Sequence, residues 1–160
     1  MFLRIENIAP KIMAGVSMSM TLGDNKTPEL WKSFMPFRNQ IPHRVGEELF
    51  NIQRYDNFDY DKLSLKTPVT KFASVEVKQK DKLPGGLHHF TLSGGSYAVF
   101  LYRGTPARFK EFFDYIYKEW LPSSGYDLDD REHFEVLGEK YKRDDPASQE
   151  EIWIPVRPKK

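Results

Sequence analysis

Thr27-Pro28-Glu29-Leu30-Trp31-Lys32-Ser33-Phe34 and Thr105-Pro106-Ala107-Arg108-Phe109-Lys110-Glu111-Phe112 follow one pattern, T-P-x-x-(aromatic)-K-x-F. A threonine at a helix N-cap can accept a bond from an unpaired first-turn amide. A proline at the first helical position loses nothing, because its missing N–H had no partner there. Each copy therefore reads as the start of a helix. Two unrelated helix starts could share these residues, so the weight falls on what surrounds them.

The surroundings repeat as well. Ile12 to Leu22 reads as a strand leading into the first TP helix, and Glu48 to Tyr55 and Val69 to Val77 read as strands after it. In the second half, Leu87 to Leu92 and Ser96 to Arg103 are strands separated by Ser93-Gly94-Gly95, a spacing that predicts a hairpin. The second TP helix runs to about Leu121. Strands at Phe134 to Lys140 and Glu151 to Val156 follow it.

Phe109, Phe112, Phe113, Ile116 and Trp120 have the spacing of one apolar helix face, which Pro122 and Gly125 terminate. In the first helix Leu30, Phe34, Phe37 and Ile41 share a face, and Pro36 should kink or end it. Polar stretches at Asn57 to Lys66, Gln79 to Gly86 and Asp127 to Glu132 read as loops. The expected fold is α+β: tandem strand-helix-strand-strand repeats, about 1–80 and 81–160, within a single domain. They form an antiparallel sheet with two helices on one side and a ligand cleft between the halves.

Composition narrows the function. The 160 residues carry 24 basic and 23 acidic side chains, a net charge of +1, and the basic residues are scattered. That argues against direct nucleic-acid binding, which wants a basic stripe. Cysteine is absent from the sequence, which excludes disulfides and thiolate chemistry. The N-terminus lacks the pattern of a secretory signal, and the longest apolar run, Tyr97 to Tyr102, is too short for a membrane span. A cytoplasmic location is expected.

Four signatures in the second half resemble one family in order: Gly94-Gly95-Ser96-Tyr97-Ala98-Val99-Phe100 with Arg103-Gly104, Trp120-Leu121-Pro122-Ser123-Ser124-Gly125-Tyr126, Phe134-Glu135, and Ile152-Trp153-Ile154-Pro155-Val156. They resemble the GyrI-like, or AraC-type, bacterial effector-binding domain. The first half matches more loosely, at Ala14-Gly15 and at Leu30 to Phe34. The resemblance implies two similar α+β repeats around a cleft for hydrophobic, often cationic small molecules, as in multidrug-binding regulator domains. Many relatives carry a helix-turn-helix region ahead of this domain. This chain has none, so no direct DNA binding is expected.

The resemblance also makes Glu135 the pocket carboxylate. A carboxylate among aromatic rings is poorly solvated, so pairing with a cation gains more there than in water, and ring faces add cation–π attraction. Glu139 would share its face if the strand stayed regular past Gly138. Trp31, Phe34, Phe100, Tyr102, Trp120 and Trp153 are the expected ligand-binding wall; ordinary core packing is the alternative for each, above all for Phe34 and Phe100.

No metal site is expected. His88 and His89 point to opposite faces of a strand, and His43 and His133 are isolated. No cofactor is implied, since Gly85-Gly86 and Gly94-Gly95 are turns rather than phosphate loops. Three functions rank in order: a small-molecule effector-binding or sequestering module; a hydrolase of small aromatic toxins, with Glu135 and Tyr102 as its catalytic residues; and an antagonist that binds a protein partner.

Overall fold

The computed structural model describes residues 1–142 and 145–160. Nine strands follow chain order: β1 (Phe2–Ile8), β2 (Lys11–Thr21), β3 (Leu49–Arg54), β4 (Pro68–Val77), β5 (His88–Leu92), β6 (Gly95–Arg103), β7 (Tyr126–Leu128), β8 (His133–Leu137) and β9 (Gln149–Pro158). Helix α1 (Thr27–Phe34) gives way to a 3-10 turn, Met35–Gln40, as Pro36 requires. The second helical rod starts as a 3-10 turn, Pro106–Arg108. It continues through α2 (Phe109–Asp114), a π-helical segment (Tyr115–Trp120) and a last turn, Leu121–Ser123.

All pairings are antiparallel, in the order β1-β6-β9-β8-β3-β4-β2-β5, with β7 added against β9. The order has an internal two-fold pattern. On either side of the β8–β3 pair, β9 and β6 match β4 and β2, and each half lends its first strand to the other's flank.

That exchange corrects the expected hairpin. β5 pairs with β2 and β6 with β1 and β9, so Ser93-Gly94 carries the chain from one flank of the sheet to the other. Ala9-Pro10 does the same between β1 and β2. Connections this short require the sheet to curl until its flanks meet. Gly94 is the contact point: a Cβ there would lie 2.7 Å from the Ile8 carbonyl oxygen and 2.8 Å from Pro10. Arg131 braces the junction, donating to the Gly94 carbonyl at 3.2 Å while its guanidinium lies 4.6 Å over the Tyr97 ring.

Other expectations shift at their ends. β1 was not expected, because its burial lacks clean alternation, and three-residue β7 is too short to show a period. β8 stops at Leu137, which leaves Glu139 exposed beyond the strand. Neither threonine caps its helix with its side chain. Thr27 is itself helical, and its hydroxyl accepts a bond from Lys71 Nζ at 3.0 Å. The prolines sit in the first turns as expected.

The curl separates two faces. Inside it, Met13, Phe50, Ile52, Phe72, Leu92, Tyr97, Val99, Phe134 and Trp153 form one core. On the outer face α1 buries Leu30 and Phe34 against Ala14, Ala73 and Val75, over β2 and β4. The second rod buries Ile116 against Phe100, Tyr102, Ile152 and Ile154, over β6 and β9. Strands β3 and β8 run between the two rods.

Gly15 on β2 is where packing is tightest, since an added Cβ would stand 1.9 Å from the Ala73 carbonyl oxygen and 2.8 Å from the Ser74 Cα. Backbone, not a flexible side chain, is in the way. Gly15→Ala should therefore cost about 2–3 kcal/mol, the range of overpacking in a rigid core. Urea unfolding checks this, and an unchanged midpoint would show that β2 and β4 have room to separate.

Candidate functional site

Alternation along β3 sends Phe50 and Ile52 into the core inside the curl, so Asn51 and Gln53 face the rods. The same rule puts His133 and Glu135 of β8 on the rod side, because Phe134 points inward. Asn51 stands directly opposite Glu135, and Gln53 opposite His133. Lys71 of β4 stands opposite Gln53. Glu150 of β9 shares the face with Ile152, the cross-strand partner of Glu135. A polar strip thus crosses the sheet between two apolar helix seats.

Glu135 is held from below. Gln53 Nε2 donates to its Oε1 at 3.1 Å and Asn51 Nδ2 to its Oε2 at 3.4 Å. Asn51 and Gln53 are themselves buried. Asn51 Oδ1 is buried with no hydrogen-bond partner among the described residues, an acceptor left over on the cleft side. The Glu135 and Glu150 carboxyls hydrogen-bond to each other, which requires a proton on one of them.

Burial raises the Glu135 carboxyl above its ordinary range, opposed by the charge of Lys71 and by the bonds from Asn51, Gln53 and Glu150. Burial, reinforced by the charge of Glu135, pushes Glu150 up to about 9. The Lys71 ammonium is lowered by burial and partly restored by Glu135. Lys71 makes no ion pair within 4 Å among the described residues; its one polar contact is the Thr27 hydroxyl.

Aromatic rings close over this strip. The loop after β3 brings Tyr55 and Phe58 edge to face, 4.9 Å apart, and both rings meet His133, at 5.6 and 4.5 Å. From the second rod Tyr117 meets Phe58 at 5.4 Å and stacks on Tyr60 at 4.5 Å. The Tyr117 hydroxyl is 3.3 Å from His133 Nδ1, and the Tyr60 hydroxyl bonds to Asp114, which ties the loop to the rod. Burial drives His133 down to about 3, so its ring stays neutral at ordinary pH. Burial and the nearby charge of Glu135 push Tyr55 up to about 12.

Of the residues singled out in the sequence, Glu135 lies at the centre of this arrangement. Phe34 and Phe100 are fully buried beneath their rods. Tyr102 is buried against Phe109 and Phe112, with its hydroxyl on the Thr105 carbonyl, although it stands across from Glu150 in the sheet. Trp120 stacks on Phe2 at 4.9 Å, and Trp31 sets its edge on Phe34 at 5.7 Å. Trp153 faces the other way, inside the curl, stacked on Phe134 at 5.0 Å with its indole N–H on Glu151.

The ring cluster of Tyr55, Phe58, Tyr60 and Tyr117 was missed in the sequence, as were Asn51, Gln53, Lys71 and Glu150. Asn51 and Gln53 had left a signal: they alternate with Phe50 and Ile52 in a strand that carries an apolar residue at every other position. His133, two residues before Glu135, had left another.

A family model for the GyrI-like small molecule binding domain matches residues 1–157. No curated protein sequence matches the chain significantly. Among solved structures, the EcmrR C-terminal domain superposes with a TM-score of 0.70 at 16% identity, covering 99% of each chain. SAV2435, solved bound to tetraphenylphosphonium, gives 0.68 at 12%, covering 98% of this chain and 94% of its own. A hydrolase encoded by lin2189 from Listeria innocua gives 0.61 at 10%, covering 96% and 91%. Identities this low speak to the fold; among the described residues no helix is long and apolar enough to cross a membrane. With the family model spanning nearly the whole sequence, the chain belongs to the GyrI-like small molecule binding domain family.

Proposed function

We propose that the cleft over β3 and β8 receives hydrophobic, aromatic, cationic small molecules, and that the chain acts in the cytoplasm as an effector-binding or sequestering module without touching DNA itself. The observation that carries this reading is Glu135: a carboxyl fixed by Gln53 and Asn51 on the floor of a strip roofed by Tyr55, Phe58 and Tyr117. The acid pair holds negative charge where water is scarce, so a ligand cation gains more from it than it would from an exposed glutamate. Neutral rings around it supply stacking and cation–π attraction. The ligand would enter by parting Phe58 and Tyr117 and would replace their contacts with its own. SAV2435, which shares the fold, is bound to such a cation.

A hydrolytic reading is favoured by one feature, the contact between Glu135 and Glu150. Two carboxyls of which one keeps its proton are the equipment of acid–base catalysis. The shared fold of the Listeria innocua hydrolase keeps this reading in second place.

Tetraphenylphosphonium and the uncharged triphenylphosphine oxide separate these readings by calorimetry on wild type and Glu135→Gln. The variant should weaken the cation by about ten-fold or more, as expected for losing a charge-assisted contact, and should leave the neutral compound unchanged. Equal losses for both compounds would remove the carboxylate from recognition. For hydrolysis, small aromatic esters and strained-ring compounds should be consumed catalytically by wild type and not by Glu135→Gln; no turnover of either would eliminate the second reading.

A further inference from the structure

Three ionisable groups share the rod-side face of the sheet. Glu135 and Glu150 are in hydrogen-bonded contact, and Lys71 faces them from β4. Two carboxyls in contact hold one proton between them and carry a single negative charge. Lys71 cancels that charge, so the cluster is neutral before any ligand arrives. A cation brought into it leaves one positive charge uncompensated unless the shared proton departs. Glu150 is buried and Glu135 half-buried, so an uncompensated charge between them is disfavoured, while losing the proton restores neutrality.

We propose that the cleft is a proton–cation exchanger, in which one organic cation binds as one proton leaves the Glu135–Glu150 pair, with Lys71 fixing the count. This rests on the reading of the cleft as a cation site and adds the second acid and the lysine to it. No covalent step is involved. The proton passes from the carboxyl pair to solvent, and the cation takes its place opposite the two carboxylates.

Two groups could supply that proton, the carboxyl pair and the Lys71 ammonium, which burial lowers and the charge of Glu135 restores; the Glu150→Gln variant separates them, because it removes the shared proton and keeps the lysine. His133, beside Glu135 on β8, is already neutral, with burial holding it near 3. Tyr55 keeps its hydroxyl proton up to about 12, and burial raises the Tyr117 hydroxyl well above the ordinary tyrosine range. Tyr102, across from Glu150 on β6, is also raised by burial. Solvent approaches the end of the strip beside Glu150. Glu150 lines a depression of about 360 Å³ together with Glu48, Glu139, Lys140 and Glu151.

The sign follows from linkage. If binding releases a proton, affinity rises with pH while the pair is still protonated, by about ten-fold per pH unit for one proton. The rise ends above about 9, where the pair is already ionised. A neutral ligand shows no such slope.

Calorimetry in phosphate and in Tris, whose ionisation enthalpies differ, counts the protons. Tetraphenylphosphonium should release about one proton from wild type between pH 6 and 8 and bind about ten-fold tighter per pH unit, and triphenylphosphine oxide should release none. Glu150→Gln should bind the cation with no release and little pH dependence. Lys71→Met leaves the pair's charge uncancelled, so it should bind the cation more tightly at pH 6 and also release little. Binding of the cation without proton release in wild type overturns the exchange and leaves the cation site standing. If neither probe binds, both fall.

A ligand-free measurement tests the shared proton alone. A carboxyl whose folded pKa is raised stabilises the fold at low pH, and that stability drains away as pH rises toward the folded pKa. The urea midpoint of wild type should fall relative to that of Glu150→Gln between pH 6.5 and 9. Parallel curves would mean that the pair holds no shared proton, which overturns the proposal.

Discussion

Asn51 meets Glu135 where β3 and β8 pair, between the seats of the two helical rods. Everything else in the site is a consequence of that pairing. Asn51 and Gln53 are buried on the covered face of the sheet, so they must find partners within the protein. The carboxyl of Glu135 is that partner, and its acceptance of their N–H groups is what makes its own burial tolerable. The apolar seats beneath α1 and the second rod hold the strip in place from either side. A one-residue slip between β3 and β8 would send Asn51 and Glu135 into the aromatic interior, so the register is fixed by the same residues that make the site.

The flank exchange serves the same centre. Because β1 and β5 each leave their own half, the two halves cannot separate without pulling out a paired strand. Hinged opening of one half against the other would break strand pairings; moving the loop that carries Tyr55, Phe58 and Tyr60 breaks none. Its ring contacts are worth about 1 kcal/mol each beyond their buried area. An aromatic ligand that stacks in their place recovers most of that sum. Rings that leave for rings that enter make opening nearly neutral, and the charge on the floor then decides affinity.

Much of the fold was legible because its signals are local. Period-two runs marked β2, β3, β4, β6 and β9, and the paired TP starts marked both rods within a residue or two. The partners of β5 and β6 were not legible. A short glycine-containing connection usually makes a hairpin, and only the contact of Gly94 with Ile8 and Pro10 reveals a crossing instead. The motif singled out Glu135, and alternation along β3 and β8 marks His133 and Asn51 as its neighbours on the same face. Glu150 and Lys71 could not, because an acid in Gln149-Glu150-Glu151 and a lysine in Thr70-Lys71-Phe72 look like solvated strand residues until the rods are laid over them. The rings gathered over β3 and β8 differ from the aromatic wall expected from the sequence for a related reason. Tryptophans draw attention by size, yet Trp153 lies on the inward face and Trp120 packs on Phe2, while tyrosines and Phe58 from an irregular loop roof the cleft.

Why a binding cleft should keep a lysine beside its carboxylates follows from the unliganded state. Two acids with a shared proton still hold one negative charge on a partly buried strip beneath aromatic rings, and a charge so placed destabilises the fold when unpaired. Small domains have only about 5–15 kcal/mol in reserve. Lys71 offsets that charge while the cleft is empty, at the cost of competing with any cation that enters. On the proposed exchange the proton shared by the carboxyls resolves the competition, because it departs to solvent while Lys71 stays in place. A lone glutamate would attract cations more strongly and leave the empty protein less stable. The pair with its lysine gives up some affinity for a fold that stands without ligand.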